Sequence, residues 1–437
     1  MAATSLIYRG ASSVARGALA VLSGVDQKLA RGHRGRVESP ARFAAWARDH
    51  RDHAQPLVWC HAPSVGEGLQ AAAVLRLLRS RHPDWQLAYT FFSPSAEAFA
   101  ARLDVDVSDY LPYDLPGPSE SLLDVLRPQA LVFSKLDLWP ELAARAANRG
   151  VPVGLIAATV RPGSGRLRWP VRSLLAPGYR SITAAGAVAE EDANRLARLG
   201  VPPDRIRVLG DPRYDSVVDR VQAVEADHPL LRLGTGAPAL IAGSTWPGDD
   251  TVLLGAMAEV RSRHPDMRLI LVPHEPRPDH LRDIERRAAA LGLPAAVRLS
   301  ATDEPVPLLL VDRVGVLAAL YGAGPMAYVG GGFHAAGLHS VLEPAAWGRP
   351  VAFGPRWQES RDAVMLRAAG GATAIGTESP EAAIAELSAI WLDWLRDPSA
   401  CARQGALALR VVRDGLGAAE RAADLVEALV GATRPGR

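Results

Sequence analysis

Residues 328–355 read YVGGGFHAAGLHSVLEPAAWGRPVAFGP, and the order of signals in that stretch decides the fold. The run MAYVGGG (326–332) has the composition of a buried strand and ends in three consecutive glycines. A helical stretch over 339–347 follows, and PVAFGP (350–355) reads as the next strand. Strand, glycine turn, helix and strand make the repeating unit of a parallel sheet covered on both faces.

Working outward, the same rhythm holds on both sides. ALIAGST (239–245), MRLILVPH (267–274) and VPLLLVD (306–312) are further strands, separated by helices at 250–263, 279–290 and 314–321, with another helix at 359–368. Upstream, PLVWCH (56–61), QLAYTFF (86–92), ALVFS (130–134), PVGLIAA (152–158), SITAAG (181–186) and RIRVLGD (205–211) alternate with helices at 68–80, 95–102, 119–126, 139–149 and 190–199. The Pro- and Gly-containing stretch 215–237 separates the halves. The reading is therefore α/β, with two doubly wound domains, 37–217 and 218–390, and a ligand cleft where strand ends meet. The Ala-rich tail, 391–437, is expected to be helical and to pack across the domains.

A chain of 437 residues is long enough for two cores, and 48% hydrophobic residues can fill them. The 49 basic and 47 acidic side chains nearly cancel, to +2, which argues against a general nucleic-acid binder. Cys60 and Cys401 lie far apart in sequence and lack metal-ligand spacing, so neither a zinc site nor a disulfide framework is expected. The first 36 residues form a separate amphipathic segment. Helical spacing puts Ile7, Ala11, Val14, Ala18, Leu22 and Val25 on one stripe, with Arg9 and Arg16 opposite. The basic run KLARGHRGR (28–36) follows. Such a helix suits an anionic membrane surface, or packing on the protein's own body, or a transit-like signal; it is too interrupted to span a bilayer.

Three segments carry candidate chemistry. In HAPSVGEGLQ (61–70), a strand runs into Ser64 and Gly66, then Glu67, and then a helix expected near Leu69. Glycines beside a single carboxylate allow close backbone approach and aim Glu67 outward. Read by itself, the segment equally fits a helix-start carboxylate that complements the dipole. In the 328–355 stretch, Gly330, Gly331 and Gly332 offer amides to a phosphate or sugar, and Glu343 can accept hydrogen bonds from ribose hydroxyls. In GSTWPGDD (243–250) and LVPHEPRPDH (271–280), Ser244, Thr245, His274 and Arg277 stand at strand ends, suited to a phosphate or a base.

Taken together, SVGE, YLPYDLP (110–116), LDLWPEL (136–142), GDPRYD (210–215), GSTWP, LVPHEP and the 330–355 stretch resemble the 3-deoxy-D-manno-octulosonic acid (Kdo) transferases of lipopolysaccharide synthesis. The resemblance runs in order from about residue 55 to 370. It implies a GT-B fold of two Rossmann-like domains, CMP-Kdo as donor, a lipid A precursor as acceptor, no cofactor and no required metal, and work at the cytoplasmic face of the inner membrane. By residue it implies Glu67 as catalytic base and Glu343 as the ribose-holding carboxylate. Gly330, Gly331, Gly332 and Ser340 fall in the donor segment, with Ser244, Thr245, His274 and Arg277 near the nucleotide. Ser64, Gly66, Lys135 and Asp137 are expected on the acceptor or Kdo side. The chain departs from the family where Ser134-Lys135-Leu136-Asp137-Leu138-Trp139-Pro140 stands for a Glu-Thr-Glu-Leu-Trp-Pro pattern, where His339-Ser340 stands for His-Asn, and where Ala157-Ala158-Thr159-Val160-Arg161 stands for an Asn-Ala-Arg segment. The alternatives are another GT-B enzyme, a uridine diphosphate sugar transferase or epimerase, or a non-catalytic membrane-surface protein of the same fold.

Overall fold

The computed structural model describes residues 6–433; the ends of the expected N-terminal segment (1–5) and of the tail (434–437) lie outside the described residues. The chain forms two compact units, 1–216 with 416–437 and 217–415, dividing between Ser216 and Val217. Each unit holds a seven-stranded sheet whose paired strands are all parallel.

In the first unit the strands are β1 (Leu57–His61), β2 (Gln86–Phe91), β3 (Val107–Tyr110), β4 (Ala130–Ser134), β5 (Val153–Ala158), β6 (Ile182–Ala187) and β7 (Ile206–Val208), in spatial order β3-β2-β1-β4-β5-β6-β7. Every residue of β1, β2, β4 and β5 is buried, which is why these strands read as unbroken apolar runs rather than alternating ones. Edge strand β3 has no such signature; three of its four residues are only half-buried, and the sequence pattern missed it.

The second unit contains β8 (Ala239–Thr245), β9 (Arg268–Pro273), β10 (Val297–Arg298), β11 (Leu308–Leu310), β12 (Met326–Val329), β13 (Val351–Phe353) and β14 (Ala372–Ala374), ordered β10-β11-β9-β8-β12-β13-β14. The short strands β10 and β14 were also not anticipated. Each sheet is wound outward from its first strand and then restarts on that strand's other side, at β1/β4 and at β8/β12. Diverging connections at such a reversal leave a crevice beyond the strand ends, the usual ligand position in this architecture.

The tail is helical. Helices Pro380–Arg396 and Pro398–Asp414 belong to the second unit, whereas Ala418–Thr433 returns to the first. There Leu425, Val426, Leu429 and Val430 enter the core with Val58, Val132 and Ile156. Asp215 fixes this helix by accepting from the Gly417 and Ala419 amides at 2.7 and 3.0 Å.

The N-terminal helix, Leu6–Leu22, keeps its apolar stripe outward: Ile7 is 70%, Val14 73% and Val25, just beyond it, 90% exposed. Its polar side makes the contacts. The Tyr8 hydroxyl donates to Asp114 at 2.6 Å, and Arg9 donates to Glu141 at 3.0 Å. The stripe is thus not packed against the protein's own body. The following basic run lies in a second helix, Gln27–His50, and is not a free basic surface throughout. Arg36 is buried and donates to the Phe92 carbonyl at 2.7 Å, while Arg31 pairs with Glu97. Among the described residues no helix is long and apolar enough to cross a membrane.

Candidate active site

At the first reversal, β1 ends at His61 and the helix begins at Val65, four residues before the expected start. Glu67 therefore lies in the first helical turn, where the dipole favours a carboxylate. Ser64 holds the N-cap position with extended backbone, φ −139°, yet its hydroxyl donates to the Glu67 carboxylate and accepts from no backbone amide of the helix. Ser134, at the end of β4, donates to the Glu67 carbonyl at 3.1 Å and ties that turn to the neighbouring strand.

The next residue, Lys135, reaches the same carboxylate: Nζ donates to Glu67 Oε1 at 2.7 Å. Lys135 adopts φ +64°, a left-handed conformation that costs a side-chain-bearing residue of order 1–3 kcal/mol. Burial pushes the Glu67 carboxyl up, but the hydrogen bonds from Lys135 and Ser64 outweigh it, and the group titrates below the ordinary glutamate range. Glu67 is thus an ionised acceptor at neutral pH. Of the glycines flanking Glu67, Gly66 is loosely packed, since a Cβ there would meet only the Ser64 hydroxyl, at 3.8 Å, whereas Gly68 is packed so tightly that a Cβ would lie 2.5 Å from the Phe99 ring. Asp137 pairs with Arg166 at 3.0 Å instead of joining Glu67 and Lys135. A separate cavity of about 550 Å³ lies beside the Gln27–His50 helix, where Arg31 and Arg42 are already paired with Glu97 and Asp109.

At the second reversal the three glycines follow β12, but they do not form an open row of amides. The Gly330 amide donates to the Gly243 carbonyl at 2.9 Å, and the Gly331 amide donates to Asp249 at 2.8 Å. A Cβ on Gly330 would sit 2.4 Å from the Ser244 carbonyl oxygen, and Gly331 has φ +94°, so close packing and backbone conformation both require glycine. Asp249 organises the turn, since it also accepts from the Trp246 amide at 3.0 Å and from the Tyr328 hydroxyl at 2.8 Å. Burial pushes its carboxyl up to about 6 even against these hydrogen bonds.

Around this turn lies an aromatic group that sequence reasoning did not assemble. Trp246 stacks on His334, with centroids 3.9 Å apart and planes 7° from parallel, and on His274 at 5.1 Å; His274 in turn stacks on His339 at 4.3 Å. Ser244, at the end of β8, has φ +55°. Thr245 is fully buried, and its hydroxyl has no hydrogen-bond partner among the described residues.

The helix carrying Glu343 is shorter than expected, Leu342–Ala346, because the chain before it is held as a loop by the His339 amide donating to the Gly330 carbonyl at 3.1 Å. Glu343 pairs with Arg220 at 3.0 Å, a partner the sequence did not suggest. Burial raises the Glu343 carboxyl, and Arg220 offsets only part of that rise. Ser340 is exposed, its hydroxyl accepting from the Leu342 amide at 3.4 Å. Arg277 is largely exposed, beside Glu275 at 3.5 Å.

Residues 37–216 match the family described as 3-deoxy-D-manno-octulosonic-acid transferase (kdotransferase). The 3-deoxy-D-manno-octulosonic acid transferase of Bordetella pertussis is 30% identical over 374 residues, covering 82% of each chain. The chain belongs to the Kdo transferase family. The Haemophilus influenzae transferase is 26% identical over 300 residues, 68% of this chain and 70% of that one. Among solved structures, the UDP-GlcNAc 2-epimerase of Neisseria meningitidis bound to UDP-GlcNAc superposes with a TM-score of 0.60 at 14% identity, covering 86% of this chain and all of that one. This likeness bears on the fold alone, two Rossmann-like domains of GT-B type.

Several carboxylates in the segments that carry the Kdo transferase resemblance turn out to hold the fold. Asp114 of YLPYDLP caps the Pro140–Asn148 helix through the Glu141 and Leu142 amides, both at 2.9 Å. Glu141 of LDLWPEL pairs with Arg9 and Arg145, and Asp211 of GDPRYD with Gln70 and Arg213. The residues missed by sequence reasoning, Trp246, Asp249, His334, His339 and Arg220, depend on tertiary contacts. His334 and His339 were visible inside the glycine stretch, but nothing local shows that they meet Trp246.

Proposed function

We propose that the protein is an inverting glycosyltransferase that moves Kdo from its cytidine monophosphate ester to a hydroxyl of a lipid A precursor in lipopolysaccharide synthesis. Family membership supports the sugar. The observation that carries the mechanism is Glu67, ionised at the first strand-order reversal and held by Lys135 and Ser64.

In the proposed reaction Glu67 takes the acceptor hydroxyl's proton as the oxygen bonds to the anomeric carbon and the bond to the cytidine monophosphate oxygen breaks. A carboxylate held below its ordinary range is in the accepting state throughout neutral pH. Lys135, whose side chain is 43% exposed, would turn from Glu67 toward the sugar's carboxylate or the acceptor as the proton is taken. In the second unit, Glu343 would receive the ribose hydroxyls, exchanging part of its pairing with Arg220. Ser244, Thr245, His274, Arg277 and the glycine turn would surround the nucleotide. We assign no resident cofactor.

The test is transfer from CMP-Kdo generated in situ to a tetra-acylated lipid A precursor, with products read by mass. Glu67→Gln should lower turnover by at least ~10²-fold and leave cytidine monophosphate affinity unchanged. Full turnover in this variant would remove Glu67 from the base role. The exposed stripe of the N-terminal helix supports placing the enzyme on an anionic bilayer surface. Ile7→Glu with Val14→Glu should abolish co-sedimentation with phosphatidylglycerol vesicles while leaving the melting temperature in place; undiminished binding would refute that placement.

A further inference from the structure

The contact between Trp246 and His339 fixes where a proton sits. An indole Nε1–H can only donate, and here it donates to His339 Nε2 at 2.9 Å. A ring nitrogen that accepts carries no hydrogen, so the imidazole bears its proton on Nδ1 and has no charge. The two ring planes are within 6° of parallel, with centroids 6.3 Å apart. His334 covers Trp246, and His274 lies against both Trp246 and His339. The backbone on each side is held as well. Asp249 binds the Trp246 amide and the Gly331 amide with one carboxylate, and the His339 amide is bound to Gly330. His339 Cδ2 lies 3.1 Å from where a Cβ on Gly331 would stand, so the ring borders the glycine turn. Its Nδ1 makes no hydrogen bond with any described residue.

We propose that Trp246 is a positioning residue that locks His339 as the neutral Nδ1–H tautomer, and that this N–H donates to a phosphate oxygen of the nucleotide bound at the glycine turn. The ligand half rests on the donor-site reading given above; the tautomer does not. The titratable groups facing His339 are His274 and His334. Burial, together with these two rings, pushes its imidazole down to about 4, in keeping with an acceptor that stays unprotonated. An uncharged donor orients the phosphate before transfer without holding the released monophosphate as a cation would.

The full chain with isotope-labelled histidine tests both halves, using ring nitrogen and carbon shifts for the tautomer and cytidine monophosphate titration for binding. The wild type should show His339 as Nδ1–H from about pH 5 to 8. Trp246→Phe keeps an aromatic ring but has no donor. In it both tautomers should appear, and His339 should gain a proton within that pH range. Its nucleotide affinity should fall about tenfold at pH 8 and recover relative to wild type as the imidazolium forms. His339→Asn, with its amide near the Nδ1 position, should bind within about threefold of wild type, whereas His339→Gln should lose about tenfold. A wild-type Nε2–H or charged His339, or a Trp246→Phe protein with unaltered tautomer and affinity, would overturn the lock. Absence of nucleotide binding by the wild type, with the tautomer as stated, would instead overturn the donor-site reading and the ligand half with it.

Discussion

The two sheets reverse their strand order in the same way, yet the groups gathered at the two reversals differ in kind. At β1/β4 the structure brings together a carboxylate, an ammonium and a hydroxyl: Glu67, Lys135 and Ser64. At β8/β12 it brings together an indole, three imidazoles and a glycine turn held by a buried carboxylate. Charge that can move suits proton transfer, while flat stacked rings and tightly held amides suit recognition of a planar base and its phosphate. One architecture therefore presents two chemistries, set by the residues after the central strands. Both ends share one unusual feature, a non-glycine residue in left-handed conformation, Lys135 at φ +64° and Ser244 at φ +55°.

The sharpest way to break this contrast is Asp249→Ala. It removes the acceptor for the Gly331 amide, the Trp246 amide and the Tyr328 hydroxyl, which should cost about 3 kcal/mol of stability and abolish measurable nucleotide binding. The pH dependence has a definite sign. Asp249 titrates near 6 when folded, above the ordinary value of about 4. Between these values the folded state binds more protons, so this carboxyl's contribution to stability is full below about pH 4 and is lost as pH rises to about 6. Chemical denaturation across that window should show a slope in the wild type that Asp249→Ala lacks. An equal slope would mean that Asp249 does not titrate as its burial dictates.

Lys135→Met acts on the charged reversal. With the ammonium gone, burial still disfavours the Glu67 carboxylate, so its titration moves upward, and the acid limb of kcat/KM should move to higher pH with it. Activity at neutral pH should fall about tenfold, and cytidine monophosphate affinity should hold. An acid limb that stays in place would separate Lys135 from the base.

Much of this was legible in the sequence, and the remainder was hidden for physical reasons. Central strands such as LVWCH and ALVFS announce themselves because both faces are buried; β3, β10 and β14 are short or partly exposed and carry no comparable pattern. Glu67 stood out as a carboxylate between glycines, although the helix begins earlier than its residues suggested and Gly68 serves packing. The glycine run was read as open amides, whereas its close approach to Ser244 and its hydrogen bond to Asp249 explain most of its composition. The Trp246 stack and the Arg220 partner of Glu343 join residues distant along the chain, which periodicity cannot reveal.

The shared left-handed residue offers the finest discrimination. A side chain in that conformation costs roughly 1–2 kcal/mol that glycine avoids, while glycine brings roughly 0.5–1 kcal/mol of extra chain entropy to the unfolded state. Ser244→Gly should therefore raise stability slightly, by about 0.5 kcal/mol. If the hydroxyl at the end of β8 receives the nucleotide, the same substitution should weaken cytidine monophosphate binding a few-fold, so stability and affinity move in opposite directions. Lys135→Gly offers the matched comparison: the same relief of backbone strain, but loss of the ion pair and about tenfold lower turnover, with nucleotide affinity untouched. A Ser244→Gly protein that is more stable and binds equally well would show that the second reversal tolerates its strain for packing alone, and Ser244 would leave the donor site.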